Sequence, residues 1–416
     1  MIFNKRLFYK ETYKRFRILF NLINILKIII AFPIAIILIA IYPFVKIKFG
    51  RIHSKSIGNY VSPLEIFYYE SKEFTDKNQK IINIWCHDPV VANKYWINKV
   101  KKKILILPGI IISPLIEIFE TLKLNKKFII PIRDFKTSSN PDLIKSVSNL
   151  GPSSDIHKVL LKYPPLIKFN RDELSKGEIF LKKIGFSNND KFVCIHNRSN
   201  SYRDEPYDSV RNSSFENFKL GIKFLLEKNI KVIRIGRDEK NKFEFKSDNF
   251  FDYSTSNFQN DFLDFYLISK CEFFVGAPSG PQEIARIFRK PIMVHNIFNL
   301  KDMIHYVGDF EKIILPKKIW SKNKKSYLNF SETIKNEYNS KVILDNNLKK
   351  NLEIIENTEE ELYHGIKEMY EIVILKSNFD SDQSNFFKIY ENFYKNPLVK
   401  NVKFSHSFFK INADLF

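Results

Sequence analysis

The chain has 416 residues, enough for two compact domains and a tail, and its 44% hydrophobic content with 40 Phe excludes disorder over most of its length. Its net charge of +21 invites a nucleic-acid reading. That class is not expected, because Lys is spread along the whole chain and no helical stretch carries a sustained basic stripe interleaved with stacking aromatics. A basic surface suits anionic lipid and nucleoside diphosphates as well. The bias toward Lys, Ile, Asn and Phe reads as AT-rich coding, which lowers the weight of composition as functional evidence. Cys86, Cys194 and Cys271 are odd in number, sit at or beside apolar runs and fit no metal spacing, so they read as buried free thiols in a reducing compartment.

Residues 28–45 are eighteen positions without a charge, just long enough to span a bilayer. Lys5, Arg6, Lys10, Lys14, Arg15 and Arg17 precede the run, and Lys46, Lys48, Arg51 and Lys55 follow it. Basic residues on both flanks leave orientation open under the positive-inside rule. Pro33 within the run also allows a re-entrant dip into one leaflet. The expectation is a basic N-terminus with a membrane helix over 1–58, attached to the inner membrane with the main body facing the cytoplasm.

From residue 59 to 180 strand and helix patterns alternate. Ile81–Trp85 reads as a strand ending at Cys86-His87-Asp88-Pro89, Ile104–Leu107 as a second, Pro114–Leu122 as a helix and Lys127–Ile132 as a third strand ending at Arg133-Asp134. That rhythm predicts a parallel sheet with crossover helices, whose ligands collect beyond the carboxyl ends of the strands. Asp88 is a candidate catalytic base there, although Asp before Pro is also ordinary turn chemistry.

The same rhythm continues over 181–330. Asn170-Arg171-Asp172-Glu173 opens a helix that ends at Gly185, and Phe192–Ile195 is a buried strand followed by His196-Asn197-Arg198. The polar loop after it carries Tyr202, Arg203, Asp204, Glu205 and Arg211, and Ser213 with Glu216 reads as a capping box for the next helix. Lys231–Ile235 ends in Gly236-Arg237-Asp238, and Glu272–Val275 leads to Gly276-Ala277-Pro278-Ser279-Gly280-Pro281. Pro281 fits the first position of a helix. Gly280 would let a ligand approach the backbone, Ser279 supplies a hydroxyl, and the free N–H groups of the helix start favour phosphate. Arg198, leaving a buried strand, can grip a phosphate with two parallel hydrogen bonds; pairing with Asp204 or Glu205 is its alternative. His196 reads as an interior histidine that orients the loop.

Phe-Val-Cys-Ile-His-Asn-Arg, Tyr202 with Arg211-Asn212, Val-Ile-Arg-Ile-Gly, Phe-Phe-Val-Gly-Ala-Pro-Ser-Gly-Pro and Lys-Pro-Ile-Met-Val-His-Asn, in that order, resemble a family of bacterial glycosyltransferases of surface polysaccharide synthesis. The His-x-Arg at a strand end is also distantly similar to GDP-fucose-dependent fucosyltransferases. There the pattern commonly continues with Arg or Gly, whereas Ser199 follows here, which argues against fucose as the donor sugar. The resemblance implies an α/β fold of glycosyltransferase-B type: two Rossmann-like domains, 59–180 for the acceptor and 181–330 for the nucleotide-sugar donor, with a helical C-terminal extension and tail over 331–416. It implies donor contacts from His196, Arg198, Tyr202, Arg211, Gly236, Arg237, Gly276, Ser279 and Gly280, and an inverting transfer to a glycan or lipid-linked acceptor.

Asp204 and Asp88 are the candidate bases. The one Asp-x-Asp, Asp380-Ser381-Asp382, lies in a polar tail segment, so neither a metal nor a further cofactor is expected. Rival readings are a sugar-nucleotide epimerase on the same scaffold and a non-catalytic sugar-nucleotide-binding assembly protein. Residues 343–375 read as mostly helical and charged, crossing back to brace the first domain.

Overall fold

The structure is a computed structural model. It describes residues 26–74, 80–130, 154–187, 189–199, 210–237, 242–298, 300, 312–336, 338, 345–378, 383, 388 and 403–416. Asp204, Tyr202, Arg133, Asp134 and the Asp380–Asp382 pair lie outside the described residues. Contacts divide the chain into two compact units, Met1–Ser56 with Ser71–Asp134 and Ile57–Glu70 with Phe135–Phe416.

The first unit runs α1 (26–41), β1 (Lys46–Ile52), the end of α2 (Val61–Phe74), β2 (Ile81–His87), α3 (Lys94–Val100), β3 (Leu105–Ile106), α4 (Gly109–Thr121) and α5 (Asn125–Phe128). The division between the units falls within α2. β1, β2 and β3 pair in that order, all parallel. The basic segment read as a membrane flank is therefore an inner part of the sheet's edge strand, with Phe49 and Ile52 buried. Its core gathers Phe49, Cys86, Leu115, Phe119 and Phe128. Lys127–Ile132 was expected as a strand. Instead residues 125–128 form a helical turn, because Phe128 is drawn into a stack on Phe119 at 4.1 Å, and only Ile129 bridges to Phe49.

The membrane segment also departs from expectation. Among the described residues no helix is long and apolar enough to cross a membrane. α1 stops at residue 41, and a turn at 42–44 hands the chain to β1. Ala31, Ala35 and Leu38, one stripe at helical spacing, pack into the same core as Phe49 and Phe119.

The second unit runs α6 (Val159–Lys162), α7 (Arg171–Lys183), β4 (Phe192–His196), α8 (Lys219–Glu227), β5 (Lys231–Arg234), β6 (Phe250–Asp252), α9 (Asp261–Lys270), β7 (Phe274–Gly276), α10 (Gly280–Ile287), β8 (Ile292–Ile297) and β9 (Lys312–Pro316). β10 (Lys318–Ser321), β11 (Ser326–Tyr327), α11 (Phe330–Lys335), α12 (Asn346–Asn351), β12 (Leu352–Ile355), α13 (Glu359–Val373), β13 (Lys403–Phe404) and α14 (His406–Ile411) follow. Seven strands pair in parallel in the order β13-β9-β8-β7-β4-β5-β6. β4, β7, β8 and β9 are buried at every position, as expected of a parallel sheet covered on both faces.

α7 opens with the capping box between Asn170 and Glu173. The box expected at Ser213 and Glu216 does not form: the Glu216 N–H donates to Ser214 Oγ at 3.2 Å, and the Ser213 N–H donates to the Arg198 carbonyl at 3.0 Å. The stretch 343–375 contains a strand, β12, antiparallel to β10. α13 packs against α8, β8 and β9, where a Cβ on Gly221 would stand 2.4 Å from Ile366. The presumed tail supplies β13, an edge strand of the main sheet, and α14.

Candidate functional site

β4 is central to the main sheet. From it the chain builds outward through β5 and β6, then returns to lay β7, β8 and β9 on the other side. Strand order reverses between β4 and β7, and at such a point the two outgoing connections diverge and leave a crevice beyond the carboxyl ends. His196 ends β4 and Gly276 ends β7, paired in register.

The connections from these two strands are tied together through His196. Its carbonyl accepts from the Ala277 N–H at 3.2 Å and from His295 Nε2 at 2.9 Å. Asn296 Nδ2 donates to His295 Nδ1 at 2.9 Å, which fixes His295 as the neutral Nε2–H tautomer. Ser279 Oγ donates to the Ala277 carbonyl at 3.0 Å, so its contact of 3.2 Å with His196 Nδ1 makes that ring nitrogen the donor. Burial pushes the His196 ring down to about 3, helped by His295 and the charges of Arg198 and Arg234, and burial pushes His295 down to about 4. Both rings are neutral donors at physiological pH. His196 donates to Ser279 and orients its hydroxyl.

Three cations converge on the polar loop that leaves β4. Asn197 Nδ2 donates to the Ser213 carbonyl at 2.8 Å, which together with the Ser213–Arg198 backbone bond brings the loop's two ends side by side. Arg198 is buried there. Arg211 Nη1 reaches the Pro278 carbonyl of the β7–α10 connection at 3.5 Å. Lys317, just beyond β9, donates to the Asn212 carbonyl at 2.6 Å, and burial pushes its ammonium down to about 8 against the pull of Glu356. Arg198 and Lys317 are buried and Arg211 is half-buried, and cations so placed are suited to an anion. Sequence reasoning missed Lys317, since Lys-Ile-Ile-Leu-Pro-Lys-Lys offers three lysines and no signal for which one points along the strand end.

The glycines have a different role from the one expected. A Cβ on Gly280 would lie 3.0 Å from Ile57 Cβ and 3.4 Å from the Gly58 nitrogen. The face that Gly280 leaves open is filled by the chain's own 57–58 segment rather than by a ligand's approach path. Gly276 makes room for the Phe274 ring, and Gly236, at φ +135, lies against His196 Cδ2. Arg237 is also engaged within the fold, 3.4 Å from both Asp261 and Asp264. Burial raises the Asp264 carboxyl to about 6 despite Arg237 and Tyr253.

Asp88 belongs to the first unit. Its N–H donates to the Ile52 carbonyl at 3.2 Å, beyond the paired ends of β1 and β2. His87 Nδ1 donates to the Asp88 carbonyl at 2.7 Å, and His53 Nδ1 stands 4.0 Å from its carboxylate. His53 was not anticipated, although it follows β1 as Asp88 follows β2. Within the second unit His196, Arg198, Arg211, Gly236, Gly276, Ser279 and Gly280 lie at adjacent strand ends; Asp88, in the first unit, follows β2. Among the described residues no group of three His, Cys, Asp or Glu is placed to hold a metal ion.

No family model matches the chain, and no curated protein matches it. Solved structures that it resembles include the glycosyltransferase family 9 protein of Veillonella parvula DSM 2008, at 12% identity and TM-score 0.43 over 80% of this chain and 98% of that one. Escherichia coli ADP-heptose LPS heptosyltransferase II overlaps at 12% identity and TM-score 0.34, over 59% of this chain and 84% of that one. The UDP-GlcNAc 2-epimerase of Methanocaldococcus jannaschii overlaps at 11% identity and TM-score 0.34, over 65% and 89%. Likenesses this distant assign neither a family nor an activity to the chain.

Proposed function

We propose that the protein is a glycosyltransferase of the glycosyltransferase-B type, which moves a sugar from a nucleotide-sugar donor to a glycan or lipid-linked acceptor at the inner membrane, in bacterial surface polysaccharide synthesis. The observation that carries this reading is the reversal of strand order between β4 and β7, with Arg198, Arg211 and Lys317 placed about the connection that leaves β4, and Arg211 reaching the Pro278 carbonyl beside Ser279.

In this reading the second unit binds the donor. Arg198 holds the diphosphate, and the Ser279 hydroxyl, which His196 orients, turns from the Ala277 carbonyl to donate to a phosphate or ribose oxygen. As the glycosidic bond breaks, negative charge grows on the departing diphosphate, and Arg198, Arg211 and Lys317 stabilise it without a metal ion. Asp88, or Asp204 in the β4–α8 loop, takes the proton of the acceptor hydroxyl, and the anomeric centre inverts.

A thermal-shift screen of nucleotides tests the donor site. A nucleoside diphosphate should raise the melting temperature of the parent, while Arg198→Ala should weaken binding by on the order of 30-fold, the loss of one charge-assisted contact. An equal rise in both proteins would remove Arg198 from the site. No response to any nucleotide would sink the assignment of the second unit as a donor domain.

A further inference from the structure

The N-terminal helix of the first unit has two unlike faces. Ala31, Ala35 and Leu38 seal it onto the core. Around the rest of its circumference Leu26, Ile29, Ile30, Ile36 and Ile37 are each more than half exposed. The unit adds further apolar surface outside this helix: Ile110 and Ile111, in the first turn of α4, are also more than half exposed, and α4 covers the same core as α1. Scattered exposed aliphatic residues are ordinary on a protein surface, but Leu26 and four isoleucines on one helix form a continuous apolar surface of the kind that marks an interaction site.

Charge indicates what covers it. Residues 1–56 contain eleven Lys or Arg and one acidic residue, Glu11. At the carboxyl end of α1, Tyr42 packs on Phe128 at 5.1 Å, Lys127 lies 5.5 Å above the Tyr42 ring, and Lys126 beside it is exposed. An aromatic ring capped by lysine at the end of an apolar helix is the arrangement favoured at a membrane–water boundary. On α4 the nearest acidic group, Glu117, is offset by Arg51 at 4.0 Å.

We infer that α1 lies flat in the headgroup–acyl boundary of an anionic bilayer, its inner stripe on the protein and its outer face in lipid, with Ile110 and Ile111 as a second point of contact. The protein's own core occupies one face of α1, which holds the helix along the surface of the unit. Interfacial helices normally turn a polar face to water; here the domain core takes that place. The inference deepens the membrane attachment in the proposed function and rests on none of its donor chemistry.

Flotation of the full chain with vesicles tests it. Phosphatidylglycerol-rich vesicles should carry the protein, pure phosphatidylcholine vesicles much less, and an alkaline carbonate wash should release it. The double substitution Ile29→Ser with Ile37→Ser removes exposed side chains only and should weaken binding on the order of tenfold or more. Lys126→Glu with Lys127→Glu should weaken binding to the anionic vesicles alone. Undiminished binding by the isoleucine variant would overturn the inference, as would resistance to carbonate, which marks a spanning helix. A parent that fails to float but forms a dimer abolished by Ile29→Ser and Ile37→Ser would also overturn it, in favour of a second copy of the chain. The nucleotide-induced rise in melting temperature, followed in the same variants, reports on the donor site separately.

Discussion

β8, Ile-Met-Val-His-Asn-Ile, and residues 28–45 at the N-terminus are both rich in aliphatic side chains, yet they meet opposite surroundings. Every residue of β8 is buried, because parallel neighbours pair with both of its edges and side chains cover both faces of the sheet. α1 has one partner, the core below Ala31, Ala35 and Leu38, and leaves its larger side chains uncovered. Apolar content alone does not say how many sides of an element will be covered; neighbours in the fold do. On α1 Ala31, Ala35 and Leu38 face the core while six of its eight isoleucines face outward, the reverse of a helix built for the interior of a soluble domain. The second unit uses its burial to hold polar groups in fixed protonation states, whereas the first uses its lack of burial as a surface.

The buried histidines of the second unit give the sharpest way to break this contrast. His295 titrates near 6.5 when unfolded and is held down to about 4 in the fold. Between those values the unfolded chain takes up a proton that the folded one refuses. The stabilising contribution is therefore complete above pH 6.5 and is lost as pH falls toward 4, on the order of 3 kcal/mol in all. His295→Gln retains an N–H donor without titrating. Denaturant melts of parent and variant should diverge as the pH falls through this window, with the parent losing stability more steeply. Asp264 and Glu65, both raised by burial, bias the slope the other way but are common to both proteins. Parallel curves would show that His295 is not held neutral by the fold.

The carboxyl-terminal segment tests whether the second unit extends as far as its sheet does. Glu368 of α13 accepts from Ser405 Oγ at 2.7 Å and from the N–H groups of His406 and Ser407 at 2.9 and 3.1 Å, satisfying the start of α14. Glu368→Ala strands these donors in a buried place and should cost about 3 kcal/mol, read as a lower denaturant midpoint of the second unit. A loss below about 0.5 kcal/mol would mean that β13 and α14 ride on the unit without stabilising it.

Much of the second unit was legible because buried parallel strands read as short apolar runs, and the turns after them carry the polar residues. The placement of His196, Arg198 and Ser279 beyond β4 and β7 follows from those runs alone. Lys317 was invisible because its role depends on β9 being laid beside β8, a pairing that leaves no local mark on the sequence. The capping box at Ser213 failed for the same kind of reason: the Ser213 N–H is taken by Arg198, fifteen residues back in the chain. Gly280 was read as a place where a ligand approaches the backbone, whereas the fold brings Ile57 and Gly58 against it. β12 and β13 are four and two residues long, too short for a period-two pattern to stand out.

The two faces of α1 give the smallest effect and the most direct contrast. Ala35 is buried against the core and Ile37, two residues on, is 60% exposed. Ala35→Leu forces three extra carbon atoms into a packed seam and should cost about 2 kcal/mol in the stability of the first unit. Ile37→Ser removes a large apolar side chain from the open face and should change stability in the absence of lipid by no more than about 0.5 kcal/mol. Chemical denaturation of the two variants without vesicles measures both. Were Ile37→Ser as costly as Ala35→Leu, the open face would have a protein partner within the chain, and α1 would belong with β8 as an element covered on every side.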